Sequence, residues 1–258
     1  MSSLAFPRVG RRVTTCASAL AIVSAAACSD GATSPRADAG PQASPPVDAP
    51  NLGLGANASP VIDGVMGPGE YTDAATTKFR IALPSPYKGT IVTLYAKHDK
   101  TNLYLATVYD RQSPVLIDQV VFEFDNDNDG VREDGDDMIG TNSSMPINLP
   151  YDVMDMFRIG ADSSNHDDFD GGTRDVMSAW GSVGNTVVFE ISHALDSNDD
   201  LHDFSIDPTT GAVTVGMQIM MSIQADPQSS GTWVHSFYPS PSTYCKLTIG
   251  KKTTSLAC

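Results

Sequence analysis

The chain has 258 residues, 41% hydrophobic and 18% charged, and its 16 Lys and Arg against 31 Asp and Glu give a formal charge of −15. That length and apolar fraction suit a domain with its own core and exclude global disorder. A surface this acidic repels phosphate backbones, and no basic cluster beyond the first dozen residues offsets it; nucleic-acid binding is excluded, and cations are the natural small partners.

Arg8, Arg11 and Arg12 form a basic n-region, and Val13 to Ala27 is a small-residue apolar stretch, shorter than the roughly 20 residues of a spanning helix. Ser24-Ala25-Ala26-Ala27-Cys28 resembles a bacterial lipobox, in which the chain is cut before a Cys that then carries lipid. Ala25 stands where that pattern prefers Leu, and Ala25 with Ala27 also fits an ordinary A-x-A cleavage site. Both readings export the chain, either to the outer membrane or cell surface through a lipid on Cys28 or, without it, as a secreted or periplasmic protein. Ser29 rather than Asp after the Cys resembles the outer-membrane sorting of Gram-negative lipoproteins. Loss of residues 1–27 removes three Arg and no acid, which takes the charge from −15 to −18.

Residues 28–57 read as the lipidated Cys and a linker of Pro, Ala, Ser and Gly with almost no large apolar side chain, expected to be disordered. Residues 58–258 read as one calcium-binding β-sandwich domain. Thr77–Leu83, Thr90–Lys97, Asn102–Tyr109, Ile117–Phe124, Thr186–Ser192, Val213–Ala225 and Thr243–Ile249 are short runs rich in Val, Ile, Tyr, Phe and Thr, several of them alternating apolar with polar. Asp99-Lys100-Thr101-Asn102 reads as a hairpin turn, and Tyr151–Ile159 is ambiguous. Many short strands without helical periodicity predict an all-β, antiparallel sandwich of jelly-roll or immunoglobulin-like architecture.

The sharpest chemical signal lies between two of these runs. Asp125, Asp127 and Asp129 at alternate positions, followed by Gly130, reproduce the first half of a calcium loop of the DxDxDG type, with Val131 giving its carbonyl and Glu133 and Asp136 further carboxylates. The loop follows a strand, so it is not an EF-hand. Eight carboxylates between Glu123 and Asp137 against one Arg repel strongly without a cation; the alternative is a solvated acidic hairpin. Extracellular loops of this kind bind Ca²⁺ at about 10⁻⁴ to 10⁻³ M. Two further acidic loops, Asp162–Asp175 and Asp196–Asp203, read equally as a second calcium site or as plain polar loops, because neither has diagnostic spacing.

Cys16 leaves with the signal peptide and Cys28 is the anchor, so Cys245 and Cys258 remain in an oxidising compartment. They read as a disulfide worth about 3 kcal/mol in the chain-entropy model. Two free thiols or a metal pair are the alternatives.

Val61-Ile62-Asp63-Gly64, then Gly69-Glu70-Tyr71 and Ala74-Ala75, resemble the opening of family 9 carbohydrate-binding modules and their DOMON-like relatives. Tyr95-Ala96-Lys97-His98-Asp99, Asn102-Leu103-Tyr104-Leu105, Asp118, Val121–Asp125, Phe189-Glu190-Ile191, Leu195 and His202-Asp203-Phe204 follow in the family's order. Tyr71 stands where the family usually has Trp. The resemblance implies a β-sandwich with structural calcium that binds sugars in some members and haem in others. For a sugar or cell-envelope polysaccharide, the stacking candidates are Trp233 in a loop-like segment, Trp180, and Tyr238 with Tyr87 behind them. For haem, the resemblance implies Met with His or Lys, and Met217, Met220, Met221 and Lys246 offer the types. That electron-transfer module is the alternative function, and a structural or adhesive surface lipoprotein is a third. No nucleophile elbow, HExxH, P-loop or dinucleotide fingerprint is present, so no enzyme is predicted.

Overall fold

A computed structural model describes residues 58–82, 89–111, 117–143, 153–160, 163–224, 233–240 and 243–258, all within the compact unit Asp48–Cys258. The expected signal peptide, lipidated Cys28 and linker fall on residues 1–57, which with Tyr87 lie outside the described residues. Thirteen strands follow one another among the described residues: β1 (Ala75–Ile81), β2 (Thr90–His98), β3 (Asn102–Asp110), β4 (Ile117–Asp125), β5 (Asp137–Asn142), β6 (Val153–Arg158), β7 (Ser164–His166), β8 (Met177–Val183), β9 (Thr186–Ala194), β10 (Val213–Gln224), β11 (Trp233–Tyr238), β12 (Cys245–Ile249) and β13 (Thr254–Ala257). One sheet runs β1-β2-β3-β9-β8, and the other β13-β12-β10-β4-β5-β6-β7, with β11 also pairing β10. All these pairings are antiparallel. The predicted sandwich is the fold observed.

Alternation decides which face each strand buries. Val92, Leu94 and Ala96 of β2, Leu103 and Leu105 of β3, Phe122 and Phe124 of β4, Phe189 and Ile191 of β9, and Met217, Ile219 and Met221 of β10 point between the sheets and form one continuous apolar core. The residues between them face outward. On the first sheet that outer face is not left to water: Tyr71 packs with Tyr104 and Ala106, with Ile62, Met66 and Ala74 against them.

The segment that supplies this cover is tied down by buried charge. Glu190, fully buried on β9, accepts the amides of Asp63 (3.2 Å) and Gly64 (2.8 Å), and Lys97 Nζ bonds Glu70 O (3.0 Å) and Asp73 (2.5 Å). Gly64 sits at φ +81°, and a Cβ there would collide with the Trp180 backbone, so the turn can dock only as glycine. The motif residues of the opening segment therefore form one structural unit with β2, β3 and β9.

Five strands lie outside the runs given above, among them β8, which continues beyond Trp180 through Gly181 and Ser182. β5 and β7 carry Asp, Gly and Asn, β13 is four residues long, and β11 begins at the Trp of a Ser/Gly-rich stretch that reads as loop. The ambiguous Tyr151–Ile159 supplies β6. Cys245 and Cys258 form a disulfide that joins β12 to the residue after β13.

Burial, followed by the charge of Glu70, raises the Glu190 carboxyl to about 7 from an ordinary 4.5, although the two amides oppose the shift. A carboxyl raised in the folded state stabilises the fold below about 4.5 and loses that contribution as pH rises through about 7. Glu190→Gln, permanently neutral, is expected to gain in melting midpoint relative to the native chain between pH 4.5 and 7.5; parallel pH profiles would contradict this.

Candidate functional site

The connection between β4 and β5 brings the three alternating aspartates together. Asp125, Asp127 and Asp129 each bring a carboxylate oxygen within 4.8 Å of the others. Asp125 accepts the amides of Asp129 (3.0 Å) and Gly130 (3.0 Å), and Asp129 that of Val131 (2.6 Å). These bonds wind the backbone inward, with Asn128 at φ +59° and Gly130 at φ +84°. Asp136 closes the loop, its oxygens accepting the amides of Asn126 (3.3 Å) and Glu133 (3.0 Å). Val131 is half-exposed, Glu133 is exposed, and Lys246 reaches Asn128 Oδ1 at 2.6 Å.

The electrostatics follow from crowding. Burial raises Asp136 to about 6, with Glu123 and Asp125 adding to it. Burial likewise raises Asp125, and the charge of Asp129 raises Glu133 most. Glu123 behaves oppositely: burial pushes it up, but bidentate bonds from Arg158 (2.7 and 2.7 Å) and Arg132 (2.6 and 2.5 Å) hold it below its usual value. Glu123 is thus an anchor for the two arginines and not a free ligand.

The aromatic candidates are placed differently from one another. Trp180 lies inside β8, half-buried against the core, with its Nε1 buried. Tyr238 stacks on Phe79, centroids 4.5 Å apart at 14°. Trp233, read as loop, opens β11 opposite Gln224 of β10. Met217 and Met221 lie in the inter-sheet core, whereas Met220 faces outward beside Val121, Met138 and Met154.

A second assembly draws on both further acidic loops, which the sequence alone leaves open as a second calcium site, and on strand residues that it does not connect with them. Asp137 (β5), Asp155 (β6), His193 (β9), Asp167, Asp175 and Asp203 converge between the two sheets, and all but Asp175 are buried. Asp155 Oδ2 accepts the amides of Asp175 (2.7 Å) and Val176 (3.1 Å), fixing the segment that enters β8. Phe204 packs on both Phe124 (4.6 Å) and His193 (4.8 Å) and walls the cluster off from the apolar core. A Cβ on Gly172 would collide with Asp199 Oδ2 and His202 Nδ1 and stand 3.0 Å from the Asp167 Cβ, so only glycine fits between these groups. Burial, then repulsion from Asp155, Asp137 and Asp203, raises Asp167 to about 9; burial raises Asp155 to about 6 and lifts Asp137 as well. The sequence signal was parity: Asp137, Asp155 and His193 occupy the inward positions of otherwise apolar strands.

No known family and no curated protein matches this sequence. Among solved structures, the chain is similar to a family 9 carbohydrate-binding module from Caldicellulosiruptor kristjanssonii in complex with cellotriose, at 15% identity and a TM-score of 0.46 over 77% of this chain and 89% of that one. It is also similar to a family 9 module from the same organism in complex with glucose, at 15% identity and a TM-score of 0.47 over 74% and 91% of the two chains.

Removing the anchor of the two arginines is expected to cost far more than a surface ion pair. Glu123→Ala takes the bidentate carboxylate away from buried Arg158 and should lower unfolding free energy in urea by about 3–5 kcal/mol; a loss below about 1 kcal/mol, the range of an exposed pair, would contradict the assignment.

Proposed function

We propose that this chain is a non-catalytic binding protein, a calcium-stabilised β-sandwich exported to the cell envelope and held there by a lipid on Cys28, with carbohydrate as its ligand class. The observation that carries the reading is the convergence of the resembling motifs: Asp63-Gly64, Glu70-Tyr71, Lys97, Tyr104 and Glu190 meet as one docked unit on the outer face of the first sheet. Residues scattered over 128 positions of sequence act together there, as a shared scaffold requires. The converged carboxylates of Asp125, Asp127 and Asp129 support the calcium part, since a hard cation takes six to eight oxygens and the loop can add backbone carbonyls and water. Trp233 is assigned as the sugar-stacking residue, because Trp180 and Tyr238 have their rings engaged by the core.

Calcium in the millimolar range is expected to raise the melting midpoint. At 10 to 100 times the dissociation constant the stabilisation is about 1.4–2.7 kcal/mol, and Asp127→Ala removes this low-affinity response. A response identical in the variant would retire the loop as the site.

A glycan array on the calcium-loaded chain, with cello-oligosaccharides and envelope polysaccharides included, tests the ligand class. Binding is expected, and Trp233→Ala should weaken it about 30-fold, the value of a buried aromatic anchor of about 2 kcal/mol. Silence across the array would overturn the carbohydrate assignment in favour of an adhesive or structural role, and a Soret band in the purified chain would overturn it in favour of haem.

A further inference from the structure

The cluster around His193 shares no residue with the calcium loop, and it differs from that loop in being buried. His193 Nδ1 lies 2.7 Å from the carbonyl of Ala194, which can only accept, so Nδ1 is protonated and the nitrogen left for other partners is Nε2. Nε2 is thereby aimed inward, 3.0 Å from Asp175 Oδ1 and 3.6 Å from Asp203 Oδ1. An imidazole whose far N–H donates to a backbone carbonyl while its near nitrogen faces carboxylates is the arrangement that metal-ligating histidines adopt.

The oxygens tell the same story. Both oxygens of Asp167 and both of Asp203, with Asp137 Oδ1 and Asp155 Oδ1, are buried and find no hydrogen-bond donor among the described residues. Leaving such groups unsatisfied inside a protein is costly, and here they are directed at one another. Three triads have ligand atoms within 4.8 Å: Asp137, His193 and Asp203; Asp155, Asp175 and His193; Asp155, Asp167 and Asp203. Each of His193, Asp155 and Asp203 belongs to two of the three. Ligands at about 2.0–2.6 Å from a divalent ion stand at most about 4–5 Å from one another, so the spacing inside each triad matches part of a coordination shell, and the shared residues join the three.

We propose that the sandwich holds a divalent metal ion between its sheets at this end, with His193 Nε2, Asp155 and Asp203 as the central donors and Asp137, Asp167 and Asp175 completing the shell. The donors come from both sheets and from the segments that close the end, so the ion clamps β5 and β6 to β9. Carboxylates with one imidazole suit Ca²⁺, Mn²⁺ and Zn²⁺ in different degrees, and the site is assigned by its donors rather than by one element. It is independent of the carbohydrate reading and of the loop at residues 125–136.

The test uses the full chain carrying Asp127→Ala and Asp129→Ala, so that loop binding does not contribute. The protein is incubated in turn with Ca²⁺, Mn²⁺ and Zn²⁺, passed through a desalting column and assayed by elemental mass spectrometry. One divalent ion per chain is expected to remain with at least one of the three metals. Adding Asp167→Asn and Asp203→Asn, which remove no hydrogen bond but discharge two donors, should abolish retention. These amides relieve repulsion, so the variant should fold without metal, with near-ultraviolet circular dichroism as the check. Chelator should lower the melting midpoint of the parent and leave that of the Asn variant unchanged. Failure of the parent to retain any of the three metals, undiminished retention by the Asn variant, or equal chelator responses would each overturn the site and leave protons as the occupants of the cluster.

Discussion

The constraint on which this structure turns is the enclosure of carboxylates in an all-β core. Along most of its length the space between the sheets is filled by Val, Leu, Ile and Phe, and those contacts would form in any sandwich of this pattern. At one end the same inward positions carry Asp137, Asp155 and His193, with Asp203 and Asp167 brought to them by loops. Ionised acids at that depth repel each other in a low dielectric, so the two sheets can close there only if protons or cations neutralise them.

The β4–β5 connection joins both acidic assemblies. Asp136 and Asp137 are adjacent, and the strand's alternation sends them to opposite sides: Asp136 caps the loop amides, while Asp137 enters the inter-sheet cluster. Immediately before the loop, Glu123 is held by two arginines and is already compensated. The formal charge of −15 is therefore not a uniform surface property. Part is cancelled by Arg132, Arg158, Lys97 and Arg111, and part is concentrated where oxygen ligands converge.

The fold was legible where packing and local pattern agree. Val92, Leu94 and Ala96 alternate as a half-buried strand must, and β2, β3, β4, β9 and β10 follow such runs closely. β5 was hidden because Asp137 and Gly140 lower its apparent β-propensity, although pairing with β4 and β6 on both sides fixes it. β11 was hidden behind a Ser/Gly-rich approach, its position set by pairing with β10. The calcium-type loop was legible because its donors are local, spaced two residues apart. The buried cluster was legible only in part: Asp167, Asp175 and Asp203 stand in acidic loops, but their convergence with Asp137, Asp155 and His193 is set by strands spread from residue 137 to residue 203.

The central claim is that cations close the acidic end of the sandwich, and hydrogen exchange on the intact chain tests it most directly. In the metal-loaded protein, amides of β5, β6, the C-terminal half of β9 and residues 163–176 and 195–206 should be protected; chelation should raise their exchange while β2 and β3 stay protected. Exchange that is unchanged by chelation at those segments, or that rises evenly across both sheets, would contradict the account.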